Sequence, residues 1–152
     1  MKTKILMVCL GNICRSPLAE GILKNKVDPT TTFVDSAGTA GYHIGNAPDP
    51  RSIAVAKKYG IDISKQVCRK FTVQDFEEFT NIYVMDNSNY NNVVALAQNQ
   101  EQKNKVSLLL EHTNTSTTEV PDPYYGGDQG FENVHNLIDQ ACNNIAKTLK
   151  DQ

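Results

Sequence analysis

The sequence predicts an α/β fold built on a parallel sheet. Short apolar runs suited to strands buried on both faces alternate with segments that carry helix-start signals or apolar spacings of three and four. At 152 residues, 39% of them apolar and 21% charged, the chain is long enough for one domain with a real core. No internal repeat or change of composition divides residues 1–152, so a single domain is expected.

The first strand is expected at residues 4–9, KILMVC, a continuous apolar run. Ser16 and Pro17 then read as a helix start, with Ser16 able to cap and Pro17 suited to the first helical position. Leu18, Ile22 and Leu23 give that helix an apolar stripe. Residues 31–35, TTFVD, read as a second strand ending at Ser36-Ala37-Gly38. Residues 41–50, rich in Gly and Pro, form a loop; residues 51–59 form a helix with Gly60 as its stop. A short helix is expected over residues 72–79, with Thr72 as cap and Asp75 three residues on. Residues 82–85, IYVM, read as the third strand, 87–97 as a helix, and 106–110, VSLLL, as the fourth strand. Residues 111–119 are a polar surface loop, and 120–123, VPDP, cannot be helical because each residue before a proline is pushed out of the α region. The clearest helix is the last, where Phe131, Val134, Leu137, Ile138, Ala141, Cys142, Ile145 and Leu149 share one face.

Composition excludes several classes. No stretch approaches the roughly 20 apolar residues of a membrane span. The basic, then apolar N-terminus is too short in its apolar part for a signal peptide and runs straight into the loop discussed next. A formal net charge of −2 argues against nucleic-acid binding. Cys9, Cys14, Cys68 and Cys142 fit neither a disulfide framework nor a zinc motif, which suits a cytoplasmic protein with reduced thiols. His43, His112 and His135 are scattered, so no metal is expected, and the sequon at Asn114 is without consequence in such a compartment.

Residues 9–16, CLGNICRS, carry the chemistry. Cys9 and Arg15 are separated by five residues, and Ser16 follows. The stretch Cys9, Leu10, Gly11, Asn12, Ile13, Cys14, Arg15, Ser16 can turn its main-chain N–H groups inward around one anion. Cys9 then lies beneath the anion as a nucleophile, and the planar fork of Arg15 grips two of its oxygens. The inward amides, the N-terminus of the following helix, the Arg15 charge and the Ser16 hydroxyl all favour the thiolate, which is the reactive form. Gly11 keeps the turn clear of a side chain, and Asn12 tolerates a left-handed backbone and can brace the loop. Ligands of parallel sheets bind beyond the carboxyl ends of the strands, where Cys9 and Asp86 both sit. Asp122, in the stiff PDP segment, is the candidate general acid for a leaving oxygen, and its carboxylate can then activate water against a cysteinyl phosphate. No metal or cofactor is required. Cys14, a second thiol in the same loop, is a candidate redox partner that could protect Cys9 as a reversible disulfide. Asp86 reads as structural, His43 as a loop residue and Cys142 as core; Cys68 has no evident role.

These residues resemble the low-molecular-weight protein tyrosine phosphatases. The match runs through VCLGNICRSP, DSAGT at residues 35–39, PDPRS at 48–52, VMDNSN at 84–89 and PDPYYG at 121–126, covering nearly the whole chain in order. The resemblance implies a four-stranded parallel twisted sheet with helices on both faces. It implies Cys9 as nucleophile, Arg15 as phosphate clamp and Asp122 as proton donor, with Asn12, Ser16 and Ser36 bracing the phosphate loop. Tyr42, Tyr124 and Tyr125 fall in loops flanking the active-site entrance in that family, and Leu10 and Ile13 would add an apolar lip. Aromatic walls make a slot whose floor a phosphotyrosine reaches and a phosphoserine does not. The implied partner is a tyrosine-phosphorylated protein or peptide, met by a monomer. The family often has a histidine where this chain has Gln66, which would put a neutral amide into the network beneath the loop and alter the pH dependence.

Three other functions compete. A protein-arginine phosphatase on the same scaffold tends to carry threonine at the position of Ile13; Ile13 and the Tyr124-Tyr125 pair favour tyrosine. An arsenate reductase needs further cysteines to carry a disulfide outward, and residues 80–97 offer none. A non-catalytic phosphate-binding module would leave the combination of nucleophile, clamp and acid unexplained.

Overall fold

The computed structural model describes residues 3–113, 116–123 and 127–150. Four parallel strands, β1 (Thr3–Cys9), β2 (Thr32–Gly38), β3 (Asn81–Val84) and β4 (Val106–Leu108), form one sheet in the order β2-β1-β3-β4. Among the described residues six α-helices accompany them: α1 (Arg15–Lys24), α2 (Pro50–Lys58), α3 (Asp75–Glu78), α4 (Asn87–Val94), α5 (Gln100–Asn104) and α6 (Gly127–Lys150). The chain leaves β1 for β2 on one side and returns to β3 on the other. The carboxyl ends of β1 and β3 therefore flank the switch point where ligands of such sheets bind.

Period-two alternation along β1 feeds two cores, one on each face. Ile5, Met7 and Cys9 join α1, α2 and α6 through Leu18, Ile22, Val55, Phe131, Val134 and Ile138. Leu6 and Val8 join Ile82, Val84, Phe71, Phe76, Phe79 and Val93 under α3 and α4. Helices on both faces of a four-stranded parallel sheet are the architecture that the sequence and its resemblance imply.

Several boundaries differ from expectation, each for a local reason. β2 runs past residue 35 because Ser36, Ala37 and Gly38 keep pairing with Met7, Val8 and Cys9. β4 stops at Leu108, and Leu109–His112 tighten into a 3-10 turn that buries Leu109 and Leu110. α4 ends at Val94 rather than 97, because Leu96 and Ala97 bond back to Val93 and Val94 as turns. α5 carries no apolar stripe; only Gln102 is buried, and the Asn99 side chain caps it by accepting the Gln102 N–H at 2.8 Å. Thr72 does not cap α3; the helix opens at Gln74–Asp75, and the Asp75 carboxylate reaches back to the Thr72 N–H at 2.9 Å. α2 starts at Pro50 beneath the Asp49 cap and ends at Lys58; Gly60, two residues on, takes a positive φ of 81°, its N–H reaching the Lys57 carbonyl and that of Ile61 the Ala56 carbonyl.

Candidate active site

β1 ends at Cys9, and α1 begins six residues later at Arg15, so residues 9–15 wrap one tight loop at the carboxyl edge of the sheet. Its outward carbonyls are claimed in turn. Those of Cys9 and Leu10 accept the N–H groups of Thr39 and Ala40, both at 2.9 Å, and that of Ile13 accepts Asp49 N–H at 2.8 Å. In a trans peptide the following N–H points the opposite way. The amides of Leu10, Gly11 and Cys14 are thereby turned from those partners toward the concavity lined by Cys9, Leu10, Gly11, Ile13, Cys14, Arg15, Tyr42, His43 and Asp122. This close wrapping needs Gly38 at the end of β2, where a Cβ would lie 2.8 Å from the Leu10 carbonyl oxygen and 3.0 Å from the Asn12 nitrogen.

Asn12 takes the left-handed backbone expected of it, with φ of 57°. Its side chain organises the floor. The Arg69 N–H meets its Oδ1 at 3.0 Å, which orients the amide, and its Nδ2 donates to Ser16 Oγ at 2.8 Å and Ser36 Oγ at 3.0 Å. Ser36 passes its own proton to Glu20 at 2.6 Å, and Glu20 is paired with Lys24. The Ser16 hydroxyl also shares a hydrogen bond with Cys9 Sγ, 3.0 Å away, and lies 3.5 Å from the Ala37 carbonyl. The Asn12 N–H approaches the same sulfur at 3.3 Å.

Ser16 therefore is not the helix cap. α1 has Cys14 at its N-cap with no side-chain bond, and Pro17 sits in the first turn where its missing N–H costs nothing. The site-facing bond of Ser16 has displaced the capping one.

Arg15 is 3% exposed. Its Nη1 donates to Asp86 Oδ2 at 2.7 Å and to the Val120 carbonyl at 2.9 Å, and the side chain lines the concavity with Cys9. Burial works against its charge, but Cys9, Asp86 and Asp122 outweigh it and hold the guanidinium above its usual range. Asp86 also caps α4 through Asn89 N–H at 2.8 Å, so the residue read as structural sets the position of the clamp as well. Val120 is tied to the residue after β3 by its N–H on the Met85 carbonyl, and Asp122, two residues on, lines the same concavity as Cys9.

Leu10, Ile13 and Tyr42 line the concavity, Tyr42 with 74% of its surface exposed, and His43 joins them with its ring edge-on to Tyr42. Tyr124 and Tyr125 lie outside the described residues. Gln66 does not enter the network beneath the loop; its Nε2 donates to the Pro17 carbonyl at 3.1 Å, and Asn12 takes its partner from the Arg69 main chain instead. All four cysteines are free and buried, and burial, Asp49 and Cys9 push the Cys14 thiol up to about 12.

Sequence reasoning missed Asp86 as partner of Arg15, Glu20 as acceptor for Ser36, and the Arg69 amide. Asp86 had one usable signal, an acidic residue at a strand's carboxyl end beside a buried cation; an amide from a distant segment has none.

A thiol beneath an anion-shaped loop, with an arginine clamp at the switch point of a parallel sheet, defines a cysteine-based phosphate-loop protein. The family model described as low molecular weight phosphotyrosine protein phosphatase matches residues 4–152. The low molecular weight phosphotyrosine protein phosphatase of Schizosaccharomyces pombe is 39% identical over 152 residues, covering 96% of each chain. The human protein of the same name is 40% identical over 143 residues, covering 91% of this chain and 90% of its own. The crystal structure of a protein tyrosine phosphatase from Entamoeba histolytica, with Hepes in its active site, superposes with a TM-score of 0.93 at 37% identity, covering 99% of this chain and 98% of that one. The chain belongs to the low molecular weight phosphotyrosine protein phosphatase family.

Proposed function

We infer that the protein hydrolyses phosphotyrosine in proteins or peptides through a cysteinyl-phosphate intermediate. The observation that carries this reading is the convergence of Cys9, Arg15 and Asp122 on one concavity, with the Ser16 hydroxyl and the Asn12 N–H on the Cys9 sulfur. Cys9 Sγ attacks phosphorus, forming the S–P bond as the P–O bond to the phenol breaks. The Asp122 carboxyl gives its proton to the departing oxygen. Water then attacks phosphorus, Asp122 takes its proton, the S–P bond breaks, and inorganic phosphate leaves. Arg15 and the loop amides of Leu10, Gly11, Ile13, Cys14 and Arg15 hold the equatorial oxygens throughout. Asn12, Ser16 and Ser36 keep the loop in shape, and Leu10, Ile13 and Tyr42 flank an aryl ring, with Tyr124 and Tyr125 assigned to the same slot from the family pattern.

Cys14 is the redox partner in this reading. Peroxide converts Cys9 to the sulfenic acid, and the Cys14 thiol displaces water from it to give a disulfide that thiols reopen. The setting that fits is a monomeric cytoplasmic enzyme acting on signalling phosphoproteins.

A panel of phosphotyrosine, phosphoserine and phosphoarginine peptides tests the assignment, with Cys9→Ser as control. Turnover confined to phosphotyrosine and abolished in Cys9→Ser is expected; preference for phosphoarginine moves the protein to the arginine-directed class.

A further inference from the structure

Cys68 is a buried thiol in no disulfide, assigned no part in the chemistry above. It lies directly behind the loop. Its Sγ is 2.8 Å from the carbonyl oxygen of Asn12 and 3.8 Å from that of Ala47. Asn12 is the one non-glycine with positive φ among the described residues, so its peptide orientation is the least favourable in the loop. The neighbouring carbonyls of Cys9, Leu10 and Ile13 are held by main-chain N–H groups; that of Asn12 is held by a side chain.

The consequence follows from peptide planarity. The Asn12 carbonyl and the Ile13 N–H belong to one trans unit and point opposite ways. Drawing the carbonyl outward to the thiol turns the Ile13 N–H inward to the concavity. Burial and the neighbouring Cys9 push the Cys68 thiol up to about 11, so it keeps the proton it donates. The segment itself is anchored, since Cys68 N–H bonds to Asn46, its carbonyl accepts Gly45 N–H, and the next residue supplies the amide that orients the Asn12 side chain.

We propose that Cys68 is a positioning residue for phosphate binding, whose thiol proton holds the Asn12–Ile13 peptide in the anion-binding orientation. The inference rests on the phosphatase reading above. Without the donor, the buried Asn12 carbonyl is orphaned, and the peptide gains by turning toward other partners at the expense of its inward N–H.

The test compares Cys68→Ala, Cys68→Val and Cys68→Ser with wild type, using inhibition by inorganic phosphate, steady-state hydrolysis of an aryl phosphate, and urea denaturation. Cys142→Ala serves as reference, because Cys142 is also buried but its Sγ faces the Ala19 carbonyl of α1 and no carbonyl of the loop. Removal of the donor is expected to weaken phosphate binding and raise KM about tenfold, with Ser recovering most of it. Cys142→Ala is expected to lose stability while phosphate affinity stays unchanged. Phosphate affinity in Ala and Val equal to wild type, or no better in Ser than in Val, overturns the inference while the phosphatase reading stands. A wild-type protein that neither binds phosphate nor turns over removes that reading and the inference with it.

Discussion

The surroundings of Cys9 are organised several bonds away. The Arg69 N–H can only face an oxygen, so it fixes the Asn12 amide, whose Nδ2 donates to the Ser16 hydroxyl lying 3.0 Å from the sulfur. Cys9→Ser should abolish turnover with no loss of fold, read by aryl phosphate hydrolysis beside circular dichroism. Asp122→Ala should cost roughly 10²–10⁴ in kcat on phosphotyrosine peptides and less on an aryl phosphate with a good leaving group. Asp86→Asn keeps a capable helix cap but removes the charge that holds Arg15, so kcat/KM should fall about tenfold to a hundredfold with stability little changed. Cys9, Asn12, Arg15 and Ser16 were legible because they fall within eight consecutive residues whose spacing is itself the signal. Asp86 lies 71 residues from Arg15, and only the strand order brings them together.

At the scale of elements, the loop is shaped as much by β2 as by its own residues. Ser36 and Gly38 sit in the part of β2 that extends past its apolar run, where the pairing partner, not propensity, keeps the chain extended. Gly38→Ala places a methyl against main chain that cannot yield, so a loss of about 1–3 kcal/mol in urea unfolding is expected, with weakened phosphate binding. Asp49 serves α2 and the loop together, capping Arg51 N–H with its side chain and bonding Ile13 with its own amide. The long strands and α6 were legible from apolar runs and periodicity. α5 was not, because a five-residue helix with one buried side chain has no periodicity to read. α3 was misplaced at its start because Asp75 satisfies Arg69 and Thr72 at once, a role fixed by the tertiary ion pair rather than by the local pattern.

Across the molecule, a buried histidine and a surface ion pair respond to pH in different ranges. In the core beneath α2 and α6, His135 is buried with its ring stacked on Tyr59, centroids 4.0 Å apart. Burial pushes its imidazole below the usual range; Asp139 and Glu132 pull the other way, and Lys26 adds to the lowering. The folded state therefore binds this proton less readily than the unfolded chain. The contribution is intact above the unfolded value of about 6.5 and is lost as pH falls from there toward the folded value. The urea midpoint should fall between about pH 7.5 and 5.5, and His135→Phe, which keeps a stacked ring, should flatten that slope. The Lys58–Glu132 pair, whose carboxylate is held below its usual range, fails only at lower pH and so separates from the histidine step.

The account stands most directly on the fate of the phosphoryl group. Asp122→Ala, mixed with an aryl phosphate whose leaving group departs without a proton and quenched in the steady state, should carry phosphate on the peptide fragment that contains Cys9, because the variant has lost the base that activates water for hydrolysis. Turnover with no phosphate on that fragment, or with phosphate on another residue, would contradict the account.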